Sequence, residues 1–282
     1  MELPFAINLE GKNAVITGGG GVLCGVFARA LAECGARVAL LDINREAAQG
    51  CADEINNNGG EALALQADVL KKSELEEAKN ELASRWGECQ ILINGAGGNH
   101  PQATTDKEYY EKGDYYQEDI KSFFSLEEAG IGFVFDLNFT GTLLASQVFA
   151  LDMAEGNGGD IINVSSMNAF KPLTKIPAYS AAKAAVSNFT QWLAVHFSQV
   201  NIRVNAIAPG FFVTKQNERL LFYADGTPTA RANKILESTP MRRFGREEEL
   251  IGGLLYLLSE GAEFVTGTVL PIDGGFSAYS GV

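Results

Sequence analysis

The segment Asn13-Ala14-Val15-Ile16-Thr17-Gly18-Gly19-Gly20-Gly21 decides the fold, because it joins a short apolar run directly to four consecutive glycines. Behind the glycines, Val22 to Glu33 has apolar residues at helical spacing, so the segment predicts a strand, a tight turn and a helix. Glycines in such a turn allow the backbone to approach a pyrophosphate, whose charge the helix N-terminus favours. We interpret the segment as a dinucleotide-binding turn. A merely flexible turn is the alternative.

The next apolar run, Arg37 to Leu41, predicts a strand that is buried on both faces and ends at Asp42. In a mononucleotide-binding βαβ unit, a carboxylate at the end of the second strand accepts hydrogen bonds from the adenosine ribose hydroxyls. The same charge would repel a 2′-phosphate, so Asp42 favours NAD over NADP. The alternative is that Asp42 only caps the helix that begins near Asn44.

Strand and helix patterns alternate along the rest of the chain, without a linker or an internal repeat. The predicted elements are a helix ending over Glu54 to Asn58, a strand over Ala62 to Gln66, a helix over Ser73 to Trp86 capped by Ser73, a strand over Ile91 to Ile93, a helix over Leu137 to Ala154, a strand over Asp160 to Val164, a helix over Pro177 to Phe197, a strand over Arg203 to Ala208, a polar, helix-prone stretch over Thr214 to Leu236, a helix over Glu247 to Ser259 and a strand over Val269 to Ile272. This alternation predicts an α/β fold, a Rossmann-type doubly wound parallel sheet that forms a single domain over residues 1–282.

The segment from Asn99 to Asp136 interrupts the alternation, since it is acidic, rich in aromatic residues and without periodicity. Loops of this length inside compact domains are usually functional lids or disordered segments. We favour a lid over the ligand crevice or an oligomer contact over simple disorder.

Composition excludes several classes of protein. A net charge of −13 argues against nucleic acid or an anionic membrane surface as a partner, because both favour a basic face. The four cysteines show neither a C-x-x-C pair nor zinc spacing, so we expect reduced thiols in a cytoplasmic protein. The first twelve residues lack the features of a secretory signal, and no apolar run is long enough for a membrane helix. The two histidines, His100 and His196, have no second ligand at a metal-site spacing, so we expect no metal.

A candidate proton-transfer group lies in the second half of the chain, where Tyr179 and Lys183 share one helix face about one turn apart. In a pocket, the ammonium would lower the pKa of the phenol toward working pH, and the phenol could then take or give a proton. Ser166, thirteen residues before the tyrosine, could hold an alcohol or carbonyl oxygen. The spacing alone is weak evidence, since a solvated helix face shows it too.

Taken together, these motifs resemble the short-chain dehydrogenase/reductase family over essentially the whole chain and in the family's order. The motifs are the glycine-rich turn from Thr17, Asp68-Val69, Asn94-Gly95-Ala96-Gly97, Asn138, the set Ser166, Tyr179 and Lys183, Pro209-Gly210 with Thr214, and Asp273-Gly274-Gly275. The resemblance implies an NAD-dependent enzyme acting on CH-OH groups, and it suggests a homotetramer.

The resemblance also assigns roles to residues. Tyr179 is then the general acid/base, Lys183 holds the nicotinamide ribose and lowers the pKa of Tyr179, Ser166 orients the substrate oxygen, and Asn138 helps to hold a relay water. The implied cofactor-binding residues are Gly18, Gly21, Val22, Leu23, Asp42, Asp68, Val69, Asn94, Ala96, Gly97, Tyr179, Lys183, Pro209, Gly210 and Thr214.

One departure from the family pattern concerns the glycine-rich turn, which usually reads T-G-x-x-x-G-x-G. Counted from Thr17, its second and third glycine positions hold Val22 and Cys24. Gly20, Gly21 and Gly25 surround them, so we expect a locally reshaped turn. The basic residue that NADP-dependent members often carry in this turn is absent between Gly18 and Gly25, which again favours NAD.

Within the family, the chain is similar to the branch of D-mannonate oxidoreductases (fructuronate reductases), which implies interconversion of D-mannonate and D-fructuronate. The similarity lies in G-G-G-G-V-L-C, in G-A-G-G-N-H-P-Q-A-T with its long insert, and in S-S-M-N-A-F-K-P-L-T-K-I-P-A-Y-S-A-A-K. Candidate substrate contacts are Asn99, His100, Asn168 and Lys171, with Lys175, Lys215, Gln216, Asn217 and Arg219 nearby. For His100 an ordinary loop hydrogen bond is an equal alternative, and Lys175 and Arg219 fit solvated surface residues better. Another sugar acid, an uncharged carbonyl of 3-oxoacyl or steroid type, and a non-catalytic NAD-binding role are the alternative functions.

Overall fold

The computed structural model describes residues 7–214 and 217–281, and its centre is a parallel sheet of seven strands. The strands are β1 (Asn13–Thr17), β2 (Arg37–Asp42), β3 (Glu61–Gln66), β4 (Ile91–Asn94), β5 (Gly159–Val164), β6 (Ile202–Pro209) and β7 (Val269–Ile272). Their order across the sheet is β3-β2-β1-β4-β5-β6-β7. The order reverses between β1 and β4, and in open parallel sheets such a switch point opens a crevice at the carboxyl ends of the strands.

The helices follow the strands in alternation and cover both faces of the sheet. They are α1 (Val22–Glu33), α2 (Arg45–Asn57), α3 (Lys72–Trp86), α4 (Glu128–Phe135), α5 (Gly141–Glu155), α6 (Pro177–His196), α7 (Glu218–Leu221), α8 (Ala230–Ser238) and α9 (Ile251–Leu258). Single 3-10 turns occupy Pro101–Ala103, Asp114–Tyr116, Phe123–Ser125, Met167–Ala169, Glu247–Leu250 and Glu260–Ala262. The predicted doubly wound fold is confirmed.

The packing of the core explains why the sequences of the central strands are continuously apolar. Ile16 of β1 packs with α1, α2 and α9 on one face of the sheet, whereas its neighbour Val15 packs with α3, α5 and α6 on the other. Successive side chains of a strand point to opposite faces, so a strand covered on both sides must be apolar throughout. The predicted strand positions are confirmed to within one residue, and for β1 and β7 they are identical.

The helix that carries Asn138 differs from the prediction. It begins at Glu128, nine residues before the expected start, and runs to Glu155 as α4, a π-helical turn over Asp136–Thr140, and α5. This run is long and apolar enough to cross a membrane, with a mean hydropathy of 1.2, but half of that window is buried inside the fold. Because α5 packs against β4, β5 and α3, we identify the run as a core helix.

Two other helix starts also differ, and one predicted stretch becomes more specific. Helix α3 begins at Lys72 with Lys71 at the cap position and without a side-chain cap, so the prediction that Ser73 caps it is wrong. The polar, helix-prone stretch that begins at Thr214 contains two short helices, α7 and α8. The predicted helix from Glu247 starts with a 3-10 turn before α9.

The insert ends at Glu127, because the last residues assigned to it belong to α4. It is built from turns around the buried carboxylate of Asp114, which pairs with Lys107 at 2.8 Å. Thr105 N donates to Lys175 O at 2.9 Å, and Glu108 pairs with Lys234 of α8. The insert therefore bridges the loop before α6 and the helix α8.

Candidate active site

The glycine-rich turn is pressed between neighbouring backbone segments. Gly18 has a φ of 67°, and a Cβ at this position would lie 2.9 Å from Cα of Ala96. A Cβ on Gly20 would lie 2.6 Å from Cβ of Ala47. Both positions need glycine for space, and Gly18 also needs it for its backbone conformation. The turn ends at Gly21, the residue before α1, so the free N–H groups of the helix face the crevice.

Val22 and Cys24 stand at the two positions where the family pattern has glycine, and the turn still forms. Val22 is the first residue of α1, and Cys24 is buried in the first turn of this helix, where its thiol donates to Thr17 O at 3.6 Å. A Cβ on Gly95 would lie 2.2 Å from Cys24 Sγ. The sulfur occupies the volume that the missing side chain of Gly95 leaves open. Burial raises the pKa of the Cys24 thiol to about 12, so this cysteine stays protonated.

A crevice of about 400 Å³ lies at the carboxyl ends of β1, β2 and β4. Its lining comprises Gly18, Gly21, Val22, Leu23, Cys24, Leu41, Asp42, Ile43, Ala67, Asp68, Val69, Gly95, Ala96, Gly97, Leu137 and Thr214. Two carboxylates and no basic side chain occur in this lining, which covers only the described part of the chain. Its charge therefore suits a dinucleotide that has free ribose hydroxyls and not one with a 2′-phosphate.

Asp42 stands at the end of β2 in this lining. Its Oδ2 accepts a hydrogen bond from Gly20 N at 3.0 Å, and its Oδ1 accepts one from Asn44 N at 2.8 Å. The cap of α2 is Asn44, whose Oδ1 accepts from Ala47 N at 3.2 Å. The alternative in which Asp42 caps the helix is therefore not what the structure has.

Asn94 differs from its neighbours in the turn after β4. Its side chain is buried and donates to Asn163 Oδ1 at 2.8 Å and to Ser146 Oγ at 3.0 Å, so it points into the layer of α5. It does not line the crevice, whereas Gly95, Ala96 and Gly97 do. Its contribution is to fix the strand end that presents them.

Ser166, Tyr179 and Lys183 line a second crevice of about 480 Å³. Lys183 Nζ donates to Val164 O at 2.8 Å and lies 5.7 Å from the centre of the Tyr179 ring. Ser166 Oγ accepts from Asn168 N at 3.2 Å, which holds the turn after β5. Ser165 faces the other way, with its Oγ 2.7 Å from Ser187 Oγ. The serine at thirteen-residue spacing is thus the one beside the phenol.

Asn138 reaches the same corner from the π-helical turn. Its Nδ2 donates to Gly98 O at 2.7 Å and to Val134 O at 2.8 Å, and its Oδ1 accepts from Gly98 N at 3.2 Å. A Cβ on Gly97 would lie 2.6 Å from that Oδ1 and 3.0 Å from Lys183 Nζ. Asn138 and Lys183 therefore both lie on the side of Gly97 that a side chain would occupy. Single π-helical turns are frequent at functional sites.

The electrostatics of Tyr179 differ from the expectation. Burial raises the pKa of the phenol, and its hydrogen bond with Ser166 opposes this effect only in part. Burial also lowers the pKa of Lys183 to about 8. The expectation that Lys183 depresses the pKa of Tyr179 is not met here, because the ammonium donates to a backbone carbonyl and loses its solvation. The neutral phenol is a proton donor.

The candidate substrate contacts divide into two groups. Asn99 and Asn168 line the second crevice. His100 instead accepts from Gln102 N at 3.2 Å through Nδ1 and packs on Phe133 at a ring distance of 5.2 Å, so it holds a loop turn. Lys171 donates to the backbone carbonyl of Tyr279 and is absent from the lining. For His100 and Lys171 the structure gives structural roles.

The residues near these candidates also vary. Lys175 supplies the carbonyl that anchors the insert. Asn217 lines the crevice, but its side chain is used within the loop, accepting from Thr214 N and donating to Phe212 O at 2.8 Å each. Arg219 is exposed and outside the lining. Lys215 and Gln216 lie outside the described residues. Pro209, Gly210 and Thr214 line the crevice along the end of β6.

Sequence reasoning missed Arg231, a cation on α8 that lines the second crevice. It also missed the apolar part of the wall, formed by Leu173, Ile176, Phe211 and Phe212. A basic residue in the first turn of a helix, here after the Thr229 cap, is electrostatically unfavourable. The position of Arg231 is therefore a local sequence signal for a functional role.

The fold and this site define a dehydrogenase. The chain matches the short chain dehydrogenase family over residues 12–221, and it belongs to that family. It is therefore an oxidoreductase.

Individual relatives cover its full length. The chain is 59% identical to an uncharacterized oxidoreductase of Haemophilus influenzae, covering 100% of this chain and 99% of the relative, and 53% identical to the uncharacterized oxidoreductase UxuB of Bacillus subtilis, covering 99% and 100%. A crystal structure from Haemophilus influenzae, provisionally named a D-mannonate oxidoreductase and containing bound NAD, superposes with a TM-score of 0.93 at 59% identity, covering 98% of each chain.

Proposed function

We propose that the protein is an NAD-dependent oxidoreductase that interconverts D-mannonate and D-fructuronate. The observation that carries this proposal is the continuity of the two crevices. Leu23, Gly95, Gly97 and Thr214 line both of them, so a dinucleotide in the first would reach the corner that holds Ser166 and Tyr179. The similarity to a relative named for D-mannonate supports the choice of substrate.

NAD fits the first crevice on the chain's own geometry. The backbone at Gly18 leaves no room for a side chain, the N-terminus of α1 faces the site, and Asp42 supplies a carboxylate that would accept hydrogen bonds from ribose hydroxyls. The relative with bound NAD supports the same cofactor. When bound, NAD accepts the hydride that leaves the substrate carbon, and NADH returns it in the reverse reaction.

Tyr179 moves the proton in this mechanism. In the reducing direction, the phenol O–H bond breaks and the proton goes to the oxygen of the carbonyl, which becomes a hydroxyl. In the oxidising direction, the phenolate takes that proton back. Ser166 donates to the reacting oxygen and holds it in place, as an oxyanion donor does. The raised pKa of Tyr179 favours the protonated form at neutral pH and so suits reduction.

Lys183 and Asn138 have supporting roles in the proton transfer by Tyr179. Both are buried, and both have polar atoms in the space that a side chain at position 97 would fill. We assign Lys183 to the nicotinamide ribose and Asn138 to a water that passes the proton on to solvent. A protein that only bound NAD would have no use for Ser166, Tyr179, Lys183 and Asn138 at one site.

The substrate wall has the mixture of groups that a sugar acid needs. Asn99 and Asn168 supply amides for hydroxyl groups, and the Leu173, Ile176, Phe211 and Phe212 side chains give it an apolar boundary. The buried Oδ1 of Asn168 has no partner within the described residues, and a sugar acid offers it more hydroxyl donors than a 3-oxoacyl or steroid substrate does.

A substrate panel tests the proposal. Purified enzyme is assayed for NADH formation with D-mannonate, D-gluconate, D-galactonate, D-mannitol and a hydroxysteroid, each with NAD and with NADP. We expect D-mannonate with NAD to give the highest kcat/KM. A preference for the steroid, or for another hexonate, would reject D-mannonate and select that alternative.

Tyr179→Phe tests the mechanism on the same enzyme. Loss of the phenol oxygen removes the proton carrier, so we expect kcat to fall by about 10³-fold or more. Binding of NADH, followed by fluorescence titration, should be nearly unchanged. Activity of the variant close to that of the wild type would contradict the role of Tyr179. If the wild-type protein binds NADH but oxidises nothing on the panel, the result would support the non-catalytic alternative.

The family resemblance extends the proposal to a homotetramer. Leu151 on α5 and Trp192 and Val195 on α6 are exposed apolar side chains, and they would be buried if helices of two copies packed together. Light scattering after size exclusion should give four times the chain mass of 30.2 kDa. A mass of one chain would contradict the tetramer.

The location in the cytoplasm is also part of the proposal. All four cysteines are free thiols in the structure, two of them buried. Free thiols fit a reducing compartment. Fractionation of cells that express the protein would test this.

A further inference from the structure

Arg231 lines the second crevice together with Ser166 and Tyr179, and it enters this lining from helix α8. It lies in the first turn of α8, which is anchored by Ala232 and Ile235 against Leu221. The side chain itself is exposed, so it is free to contact a molecule in the crevice. The helix thus fixes the backbone of Arg231 and leaves its guanidinium at the crevice.

The guanidinium has no carboxylate partner within ion-pair distance in residues 7–214 and 217–281. In contrast, Lys107 and Lys234 nearby are both paired with carboxylates. An unpaired cation is notable in a chain with a net charge of −13. The positive end of the α8 dipole lies at the same place, so Arg231 and the helix both favour an anion there.

An ion pair connects helix α8 to the insert. Lys234, one turn after Arg231, pairs with Glu108, and the insert is bonded in turn to Lys175 in the loop before α6. The wall that carries Arg231 is therefore connected to the loop that leads to Tyr179. The insert thus links helix α8, which carries Arg231, to the loop before α6, which carries Tyr179.

A second polar group in the crevice also lacks a partner. Asn168 is 5% exposed, and its Oδ1 makes no hydrogen bond within the described residues. A buried acceptor without a donor costs free energy unless a ligand supplies one. Asn168 belongs to the crevice lining together with Arg231, so an anionic ligand that also carries hydroxyl groups would satisfy both.

We propose that Arg231 binds the carboxylate of the substrate and thereby selects sugar acids over neutral polyols, while Asn168 accepts a hydrogen bond from a hydroxyl of the same molecule. This inference rests on the proposed function. In a hexonate oxidised next to its terminal CH₂OH group, the reacting carbon and the carboxylate lie toward opposite ends of the chain. Ser166 and Tyr179 hold the first, and Arg231 holds the second. The planar guanidinium can bind a carboxylate through two parallel hydrogen bonds.

The test compares Arg231→Gln and Arg231→Lys with the wild type. For each, KM and kcat are measured with D-mannonate and NAD, and the Kd of D-mannonate is measured by calorimetry on the enzyme with NADH. We expect Arg231→Gln to raise KM and Kd about tenfold to hundredfold, with kcat within about twofold, since a charged hydrogen bond is lost. Arg231→Lys should recover part of the loss.

Arg219→Gln is the matched control, because it removes the same charge from the neighbouring helix α7 but lies outside the lining. It should leave KM and Kd unchanged. Equal KM values for Arg231→Gln, Arg219→Gln and the wild type would overturn the inference while the proposed function stands. If the wild type oxidises no hexonate but binds one through Arg231, the proposed function falls and the inference stands. If it binds no hexonate at all, both fall.

Discussion

A side-chain carbon at Gly97 would lie 2.6 Å from Oδ1 of Asn138, so these two residues can meet at the catalytic corner only because residue 97 is glycine. The same carbon would lie 3.0 Å from Lys183 Nζ. We expect Gly97→Ala to displace both polar groups and to lower kcat about hundredfold, because small shifts of catalytic groups have effects of that size.

Gly98→Ala is the control for that variant. A Cβ at Gly98 meets nothing closer than Leu137 Cδ2 at 3.7 Å, which is an ordinary contact. Its kcat should stay within about threefold of the wild type, and circular dichroism should show both variants folded. Equal losses in the two variants would indicate a general effect on the loop.

The neighbouring serines should separate chemistry from stability. Ser166→Ala removes the hydroxyl beside Tyr179, and we expect kcat to fall about 10²-fold or more, the loss typical of an oxyanion donor. Ser165→Ala removes bonds to Ser187 and to Lys183 O, so we expect about 1 kcal/mol of lost stability and a much smaller change in kcat. Steady-state kinetics and urea unfolding measure the two effects. The reverse pattern would mean that Ser165 holds the substrate oxygen.

Lys183 should leave a signature in the pH dependence of stability in the absence of added NAD. Its pKa is about 8 in the folded protein and 10.5 in the unfolded chain, so the unfolded state binds more protons between these values. Stability from this group therefore rises with pH over that window. Lys183→Met lacks this pH-dependent contribution. The free energy of unfolding of the variant, relative to that of the wild type, should therefore fall by about 2 to 3 kcal/mol from pH 7 to pH 10. Urea unfolding at several pH values measures this difference, and a constant difference would contradict the shift.

Asp42 should decide between NAD and NADP. Asp42→Asn keeps an acceptor for Gly20 N but removes the charge that would face a 2′-phosphate. Since a like-charge contact near a protein surface is worth about 1 to 4 kcal/mol, we expect kcat/KM for NADP relative to NAD to rise at least about tenfold. Asp68→Asn, a change in the same crevice, should leave the ratio nearly unchanged. An unaltered ratio in Asp42→Asn would show that another feature excludes the phosphate.

The framework of the fold could be predicted because burial on both faces makes each strand apolar along its whole length. Val15 and Ile16 show this directly, since they pack on opposite sides of one strand. The start of the Asn138 helix could not be predicted in the same way. Gly130 and Gly132 weaken the helical signal in α4, and the π-helical turn shifts the spacing of apolar residues that follow.

Side-chain contacts on the substrate side depend on distant parts of the chain, which local patterns do not encode. Lys171 donates to a carbonyl 108 residues away, and Arg231 lies at the crevice on a helix that is paired with the insert and packed against Leu221 of α7. The sequence does contain the polar character of these segments. Their partners follow from the packing of the whole domain.

Cys24 and Gly95 lead to a genetic consequence. Because the sulfur fills the volume that Gly95 leaves open, Cys24→Gly alone would create a void and Gly95→Ala alone would create a clash. The double change removes the contact with the sulfur but leaves the added carbon 2.9 Å from Thr17 O, so the harm of Gly95→Ala should shrink only in part when position 24 is glycine. The two positions thus form an epistatic pair, in which the harm of each substitution depends on the residue at the other position.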